Sequence, residues 1–284
     1  MTIQKQKAPT RAIVLGGGGI TGIAWEVGVL TGLLEVGAAL HEADTIIGTS
    51  AGAFVGTALT SGYDMNRLFA AQSEPSDAEI LVAASEQITA AWYHAFAIGG
   101  SDPQRVGAAM GAIAREHPEP VPIAQRRRVV EARLVTTDWP LKLQVTAIDA
   151  DTGQLHIFDQ TSGIALTDAV MASGAVSGVW PLVYINGRAW MDGGMVSATN
   201  ARLAEGYERV VILAPMPTGY GSIPGAAEDA AAMSANANVF LVTPDSQSIA
   251  AIGPNPYDPT RRSAVATSGR AQGRRIAAAI VAIW

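Results

Sequence analysis

The sequence predicts an α/β protein in which helices pack on the faces of a mainly parallel sheet. Two strand–turn–helix units follow each other within the first 60 residues. The apolar run Arg11–Leu15 leads through a glycine loop into a helix that ends near Gly37, and the run 44–47 leads into a small-residue helix that ends near Thr60. Strands that alternate with helices in this way pair in parallel, so their side chains meet helices on the sheet faces.

Composition limits the classes of function. The 284 residues are 49% hydrophobic and 15% charged, which suits a chain that buries a full core. The net charge is −6 and no basic run exceeds residues 126–128, so we expect no nucleic-acid partner. The chain has no cysteine, which excludes disulfides, thiolate metal sites and a cysteine nucleophile.

The ends of the chain give no membrane or secretion signal. Residues 1–10 form a polar leader without the apolar stretch of a secretory signal. No apolar segment approaches the length of about 18 residues that is needed to span a bilayer. We therefore expect a cytoplasmic protein whose contact with any membrane is peripheral.

The rest of the chain predicts one domain, from residue 11 to 284. Residues 64–130 carry helical patterns without a good strand, which indicates an inserted helical section. Runs at 143–148 and 154–158 predict a hairpin, 165–171 a helix, and 182–191 a second hairpin around Asn186-Gly187. Two more strands at 209–213 and 238–242 and a closing helix at 272–283 complete the prediction.

The pentapeptide Gly48-Thr49-Ser50-Ala51-Gly52 has the G-x-S-x-G pattern of a nucleophile elbow. Small residues two positions away on each side allow a serine to lie at the apex of a sharp strand-to-helix turn. Here the motif follows an apolar strand and opens a helix, as that mechanism requires. A turn serine that only caps a helix is the alternative.

The glycine loop of residues 16–22 matches G-x-G-x-x-G at Gly17, Gly19 and Gly22. Its backbone N–H groups can bind either a dinucleotide pyrophosphate or the oxyanion of an acyl-transfer intermediate. The dinucleotide site requires an acidic residue at the end of the second strand, where this chain has the serine turn instead. The oxyanion interpretation is therefore favoured, with close helix-on-sheet packing as the structural alternative.

Asp192, which two glycines follow, is the candidate base. Asp-Gly is also ordinary turn chemistry, but the distribution of histidines favours a catalytic role. The four histidines, His41, His94, His117 and His156, all precede Asp192, whereas a serine–acid–histidine triad of the α/β-hydrolase order requires one after it. We expect His156 to be a partly buried sheet residue, so the base is predicted to be a carboxylate.

Taken together, three ordered blocks resemble those of the patatin-like phospholipases. They are the glycine loop with Val27-Gly28-Val29-Leu30, the serine pentapeptide, and Met191-Asp192-Gly193-Gly194, over about residues 11–215. A small-residue segment at 172–175 and Pro181 are similar to the family segment that precedes its aspartate.

The resemblance implies a three-layer α/β/α sandwich and hydrolysis of lipid acyl esters without a metal or another cofactor. It implies Ser50 as nucleophile, Asp192 as base, and an oxyanion hole formed by Gly17, Gly18 and Gly19. Gly22, Gly48, Gly52, Gly193 and Gly194 would support these motifs. Two features depart from the family pattern: Thr21 replaces the usual basic residue, and the join from loop to helix is one residue longer.

Two further interpretations concern the substrate and the rival functions. Trp92, Tyr93 and Phe96 would cluster on one helix side, either lining an acyl-chain pocket or serving as plain core aromatics. The expected partner is a lipid or another acyl ester. The rival functions are a nucleotide-dependent oxidoreductase and a lipid-binding domain without catalysis.

Overall fold

The sheet of this protein has eight strands, seven of them in the order β5-β6-β3-β2-β1-β7-β8, with β4 paired to β3. A computed structural model describes residues 9–117 and 121–284. Most of the predicted leader, and Pro118 and Pro120 of the helical section, lie outside the described residues. The strands are β1 (Arg11–Leu15), β2 (Thr45–Thr49), β3 (Leu143–Asp149), β4 (Leu155–Phe158), β5 (Val183–Ile185), β6 (Arg188–Asp192), β7 (Arg209–Leu213) and β8 (Asn238–Val242).

Ten α-helices occur in the described ranges. They are α1 (Gly19–Glu35), α2 (Ala51–Ser61), α3 (Met65–Ala71), α4 (Glu86–Gly99), α5 (Pro103–Glu116), α6 (Ile123–Arg133), α7 (Leu166–Ser173), α8 (Ala226–Met233), α9 (Ser246–Ile252) and α10 (Arg262–Ile283). Between α2 and β3 the described residues form four helices and no strand. None of the helices described combines the length and apolar character that crossing a bilayer requires.

Strand β1 shows why the fold has three layers. Ile13 and Leu15 point into a core shared with helices α1, α2 and α10, whereas Ala12 and Val14 point into a core on the opposite face. Successive strand residues face opposite sides, so a strand that is apolar throughout needs cover on both. The predicted α/β/α sandwich is thus confirmed.

Parallel pairing brings the carboxyl ends of the first two strands together. Strand β1 pairs in parallel with β2 and β7, and β2 with β3. Strand β6 runs antiparallel to β3, with Asp192 opposite Ala147. The turn at Asn186 and Gly187, both with positive φ, closes the predicted hairpin and returns the chain along β6.

The prediction for His156 is wrong in one respect. Its side chain is exposed, and its ring packs against Phe158 and Trp190 with centroid distances of 4.8 and 5.3 Å. Among the described strands β4 pairs only with β3, so its outer side is left uncovered.

Candidate active site

Ser50 lies between the last residue of β2 and the first residue of α2. Its φ of 53° and ψ of −110° are unusual for a residue with a side chain. Such a conformation costs on the order of 1–3 kcal/mol and persists only where the surroundings enforce it. The structure therefore has the strand-to-helix elbow that the pentapeptide predicts.

Contacts on both sides of Ser50 enforce this conformation. The N–H of Ser50 donates to the buried hydroxyl of Ser173, the last residue of α7, at 2.8 Å. The N–H of Gly52 donates to the carbonyl of Gly16 at 3.0 Å, which links the elbow to the glycine loop. A Cβ at Gly52 would lie 2.0 Å from the carbonyl oxygen of Leu15, so only glycine allows this approach.

Asp192 ends strand β6 and is 2% exposed. Its Oδ1 accepts the N–H of Gly194 at 2.6 Å. Burial raises the pKa of Asp192 to about 6, against the opposing effects of the Ser50 hydroxyl, the Gly194 N–H and the charge of Arg126. A carboxyl with this pKa can take up a proton near neutral pH.

The Ser50 hydroxyl is close enough to Asp192 to lower the pKa of its carboxyl. The side-chain hydrogen bonds within the described residues do not include one between Ser50 and Asp192. Catalytic hydrogen bonds of unliganded enzymes often shorten only when substrate binds. Hydrogen bonding within the dyad stays a prediction.

The three predicted oxyanion residues differ in the state of their N–H groups. The N–H of Gly17 donates to the carbonyl of Ala198 at 2.7 Å and is occupied. The N–H groups of Gly18 and Gly19, at the start of α1, have no acceptor among the described residues. All three glycines line the cavity beside Ser50. Among the described residues, the N–H groups of this loop that remain available to a ligand include those of Gly18 and Gly19, and their role as an oxyanion hole stays a prediction.

The supporting glycines lie where the three blocks meet. Gly22 of α1 faces the Cβ of Ala51, and a Cβ at Gly48 of β2 would lie 2.7 Å from the Cα of Ala53. Gly193 and Gly194 form the 3-10 turn that follows Asp192. These contacts bring the serine elbow, the glycine loop and the aspartate turn to one place.

A buried polar network beneath the site links the elbow to the aspartate turn. The side-chain amide of Asn200 donates to the hydroxyl of Thr49 and to the carbonyl of Gly193, each at 3.0 Å. The hydroxyls of Thr49 and Thr146 are 2.8 Å apart. Because Thr49 precedes Ser50 and Gly193 follows Asp192, this network links the serine elbow to the aspartate turn.

A cavity of about 200 Å³ opens over Ser50 and Asp192. Trp92, Tyr93 and Phe96 of α4 line it, which confirms the predicted lining. Phe96 is also buried and stacks on Tyr220 at 5.1 Å between centroids, so the core interpretation holds for this ring as well. The walls are mainly apolar, as an acyl chain requires.

No local sequence pattern predicted the other residues that line the cavity. Met195, Met216, Tyr220 and Tyr257 line the cavity through contacts between distant parts of the chain. The N–H and hydroxyl of Thr21 donate to the carbonyl of Pro256 at 3.1 and 3.2 Å, which places the following Tyr257 against the glycine loop. Thr21, in place of a basic residue, thus holds a segment from the last third of the chain.

The four histidines all lie in the described ranges, and none of them lines this cavity. The described side chains also form no group of three His, Asp or Glu that could hold a metal. A serine at a strand-to-helix elbow, beside a loop that exposes backbone N–H groups, is the arrangement of serine-type ester hydrolases.

Comparison with known families places the chain more narrowly. The family model for patatin-like phospholipases matches residues 13–205, more than half of the chain. The chain belongs to the patatin-like phospholipase family, as its three blocks predicted, and is a lipid ester hydrolase at the level of that family. A search of curated proteins found no match.

Three solved structures are similar to this chain at low sequence identity. VipD from Legionella pneumophila has a TM-score of 0.50 and 11% identity over 95% of this chain and 67% of its own. The type III effector ExoU has a TM-score of 0.41 and 15% identity over 94% of this chain and 53% of its own. ExoU of Pseudomonas aeruginosa in complex with SpcU has a TM-score of 0.38, 14% identity and the same coverage.

Proposed function

We propose that the protein cleaves carboxylic ester bonds of lipids through an acyl-enzyme on Ser50, with Asp192 as the general base. The single observation that carries the proposal is the buried Asp192 carboxyl, whose pKa is raised to about 6 beside the Ser50 hydroxyl. An aspartate of ordinary pKa is too weak a base for an alcohol, and burial reduces that deficit. The family membership supports the same chemistry.

The reaction has two steps. The Ser50 oxygen attacks the ester carbonyl while Asp192 takes its proton, and the leaving alcohol receives that proton as the carbonyl–oxygen bond breaks. A water molecule then gives a proton to Asp192 and attacks the acyl-enzyme. As the bond from the acyl carbon to the Ser50 oxygen breaks, Asp192 returns this proton to that oxygen, which releases the fatty acid and restores the Ser50 hydroxyl. The N–H groups of Gly18 and Gly19 would stabilise the oxyanion of both tetrahedral intermediates.

The apolar cavity suits the acyl chain of such a substrate. Its aromatic and methionine side chains exclude water from the reacting ester, which strengthens the electrostatic contribution of the N–H groups. Tyr93 is 64% exposed at this cavity, so one wall is open to an incoming lipid. Peripheral contact with a membrane surface is consistent with this opening.

Labelling with a fluorescent fluorophosphonate tests the proposal, since only an activated serine reacts. We expect labelling of the unmodified protein and of Ser61→Ala, a control at the opposite end of α2, and no labelling of Ser50→Ala. Labelling that survives in Ser50→Ala would assign the nucleophile elsewhere. Unlabelled protein that still binds lipid would support the non-catalytic alternative.

The oxidoreductase alternative has lost its basis. The end of β2 carries the serine elbow in place of a ribose-binding acid, and the family of the chain is one of ester hydrolases. Measurable affinity for NAD or NADP at the glycine loop would restore it.

A further inference from the structure

Arg126 of α6 is a buried cation beside the candidate active site. Its side chain is 2% exposed. Nη2 donates to the carbonyl of Gly174 at 3.2 Å, and the guanidinium lies 4.1 Å from the centroid of the Trp180 ring. Nε and Nη1 are also buried and find no hydrogen-bond acceptor among the described residues.

The nearby carboxylates do not supply the missing acceptors. Glu79 accepts two hydrogen bonds from Arg133, at 3.0 and 2.6 Å. Asp192 raises the pKa of Arg126 only through its charge. Burial, and secondly the charge of Arg133, lower the pKa of Arg126 to about 9, so it remains a cation at neutral pH.

Arg126 faces a narrow recess of about 20 Å³. Gly19, Ser50, Val176 and Tyr257 line both this recess and the main cavity, so the two spaces adjoin at the nucleophile. A space of this size holds about one water-sized group, such as one oxygen atom of a larger anion. The rest of that anion would occupy the main cavity.

A buried guanidinium with two unused N–H groups is costly unless an anion binds it. The glycine loop supplies no charged side chain there, because it carries Thr21, whose hydroxyl donates to the carbonyl of Pro256. The chain as a whole is acidic, with a net charge of −6, and so provides no general attraction for anions. Arg133, the other cation that lines the recess, is paired with Glu79, so the charge available to an anion there is that of Arg126.

We propose that Arg126 binds a phosphate oxygen of a glycerophospholipid whose scissile ester lies over Ser50. This inference rests on the proposed function and deepens it, because it names the side chain that binds the phosphate of the substrate. Arg126 then acts as a specificity-determining residue that favours phosphorylated over neutral glycerolipids. The Trp180 ring keeps the guanidinium plane in place for that contact.

Hydrolysis of a matched substrate pair tests this proposal. The substrates are 1,2-dibutanoylglycerol and its 3-phosphate, compared at pH 8, where Asp192 is ionised. Hydrogen bonds to charged groups contribute about 1.5–3 kcal/mol, which corresponds to a factor of about 10 to 150. We expect Arg126→Gln to lower the ratio of kcat/KM for the phosphorylated over the neutral substrate by about this factor, mainly through KM.

The control is Arg127→Gln, which removes the neighbouring arginine that pairs with Asp168 at the surface. This variant should keep the wild-type ratio, and Arg126→Lys should retain part of it. An equal loss for both substrates in a folded Arg126→Gln would overturn the proposal, since a structural role or an effect on Asp192 alone predicts that result. Melting temperatures establish that each variant is folded.

Binding without turnover separates this inference from the proposed function. The probe is a 1,2-dialkylglycerol 3-phosphate with ether linkages, titrated into the wild-type protein while tryptophan fluorescence is followed. We expect it to bind more tightly than the matching neutral diether, whether or not any ester is cleaved. Equal affinity for the two diethers would overturn the assignment. Equal affinity for inorganic phosphate and for the phosphorylated diether would also overturn it. Both comparisons use the wild-type protein, so they remain possible even if no Arg126 variant folds.

Discussion

The backbone N–H of Ser50 donates a 2.8 Å hydrogen bond to the side-chain hydroxyl of Ser173, and both residues are buried. This bond joins the end of α7 to the strained elbow that carries the candidate nucleophile. The local sequence of the elbow alone does not supply an acceptor for this N–H. The conformation of Ser50 therefore depends on a residue more than 100 positions along the chain.

Ser173→Ala should destabilise the protein and slow turnover. The substitution leaves the Ser50 N–H buried without an acceptor, which costs about 1–3 kcal/mol. Urea unfolding and the kcat of a short-chain p-nitrophenyl ester measure the two effects. The control is Ser177→Ala, which removes a buried hydroxyl whose hydrogen bond within the described residues goes to the sulphur of Met191. Equal stability and equal kcat in both variants would refute this role of Ser173.

Asn200→Asp should lower kcat with little change in KM. The aspartate cannot donate to the Thr49 hydroxyl or to the Gly193 carbonyl, so the elbow and the aspartate turn lose their link. Misplacement of catalytic groups by about 1 Å can cost about 100-fold in rate. We expect kcat to fall by about 10-fold to 100-fold, and to stay unchanged in the exposed control Asn236→Asp. A change confined to KM would argue that Asn200 does not position the catalytic groups.

Hydrolysis of a neutral ester should lose rate as the pH falls through about 6. Asp192 must be ionised to accept the Ser50 proton, and its pKa is raised to about 6 by burial. Below that value kcat/KM should fall about tenfold per pH unit. The pH profile between 4 and 9 checks this, and a limb near pH 4 would mean that Asp192 is not the group that titrates.

Asp192→Asn should stabilise the protein at pH 8. The pKa of Asp192 in the folded protein, about 6, lies above the ordinary value of 3.8. The contribution of this carboxyl to stability is therefore most favourable below pH 3.8, and it is lost as the pH rises to about 6. Asparagine keeps the acceptor for Gly194 and carries no charge. We expect the free energy of unfolding to rise by on the order of 2–3 kcal/mol at pH 8 and to stay unchanged below pH 4. Urea unfolding measures this, with the exposed Asp138→Asn as control. An equal gain at both pH values would contradict burial of the charge as the cause.

The parts of the fold that the sequence predicted are those with strong local patterns. The strands of the sheet, the elbow at Ser50 and the turn at Asn186 follow from apolar runs and turn residues. Helices α8 and α9 were missed, because their short alanine- and serine-rich segments show no clear amphipathic period. Contacts of distant residues, such as those of Asn200 and Tyr257, leave no local pattern.

Helix α10 begins at Arg262, ten residues before the predicted start, and it includes Gly269 and Gly273. Glycine inside a helix usually weakens it. Here a Cβ at Gly273 would lie 2.3 Å from the carbonyl oxygen of Val29, so the glycine permits close packing of α10 on α1. That partner helix lies more than 200 residues earlier in the chain, which is why the pattern of the segment itself did not reveal the contact.

The measurement that tests the account most directly is turnover of a short-chain p-nitrophenyl ester by Asp192→Asn and His156→Ala, with melting temperatures for both. Loss of a general base costs about 100-fold to 10,000-fold, so Asp192→Asn should be folded and nearly inactive. His156→Ala should keep its activity, because His156 is exposed and does not line the cavity. A folded but inactive His156→Ala together with an active Asp192→Asn would contradict the serine–aspartate mechanism and require a histidine-based one.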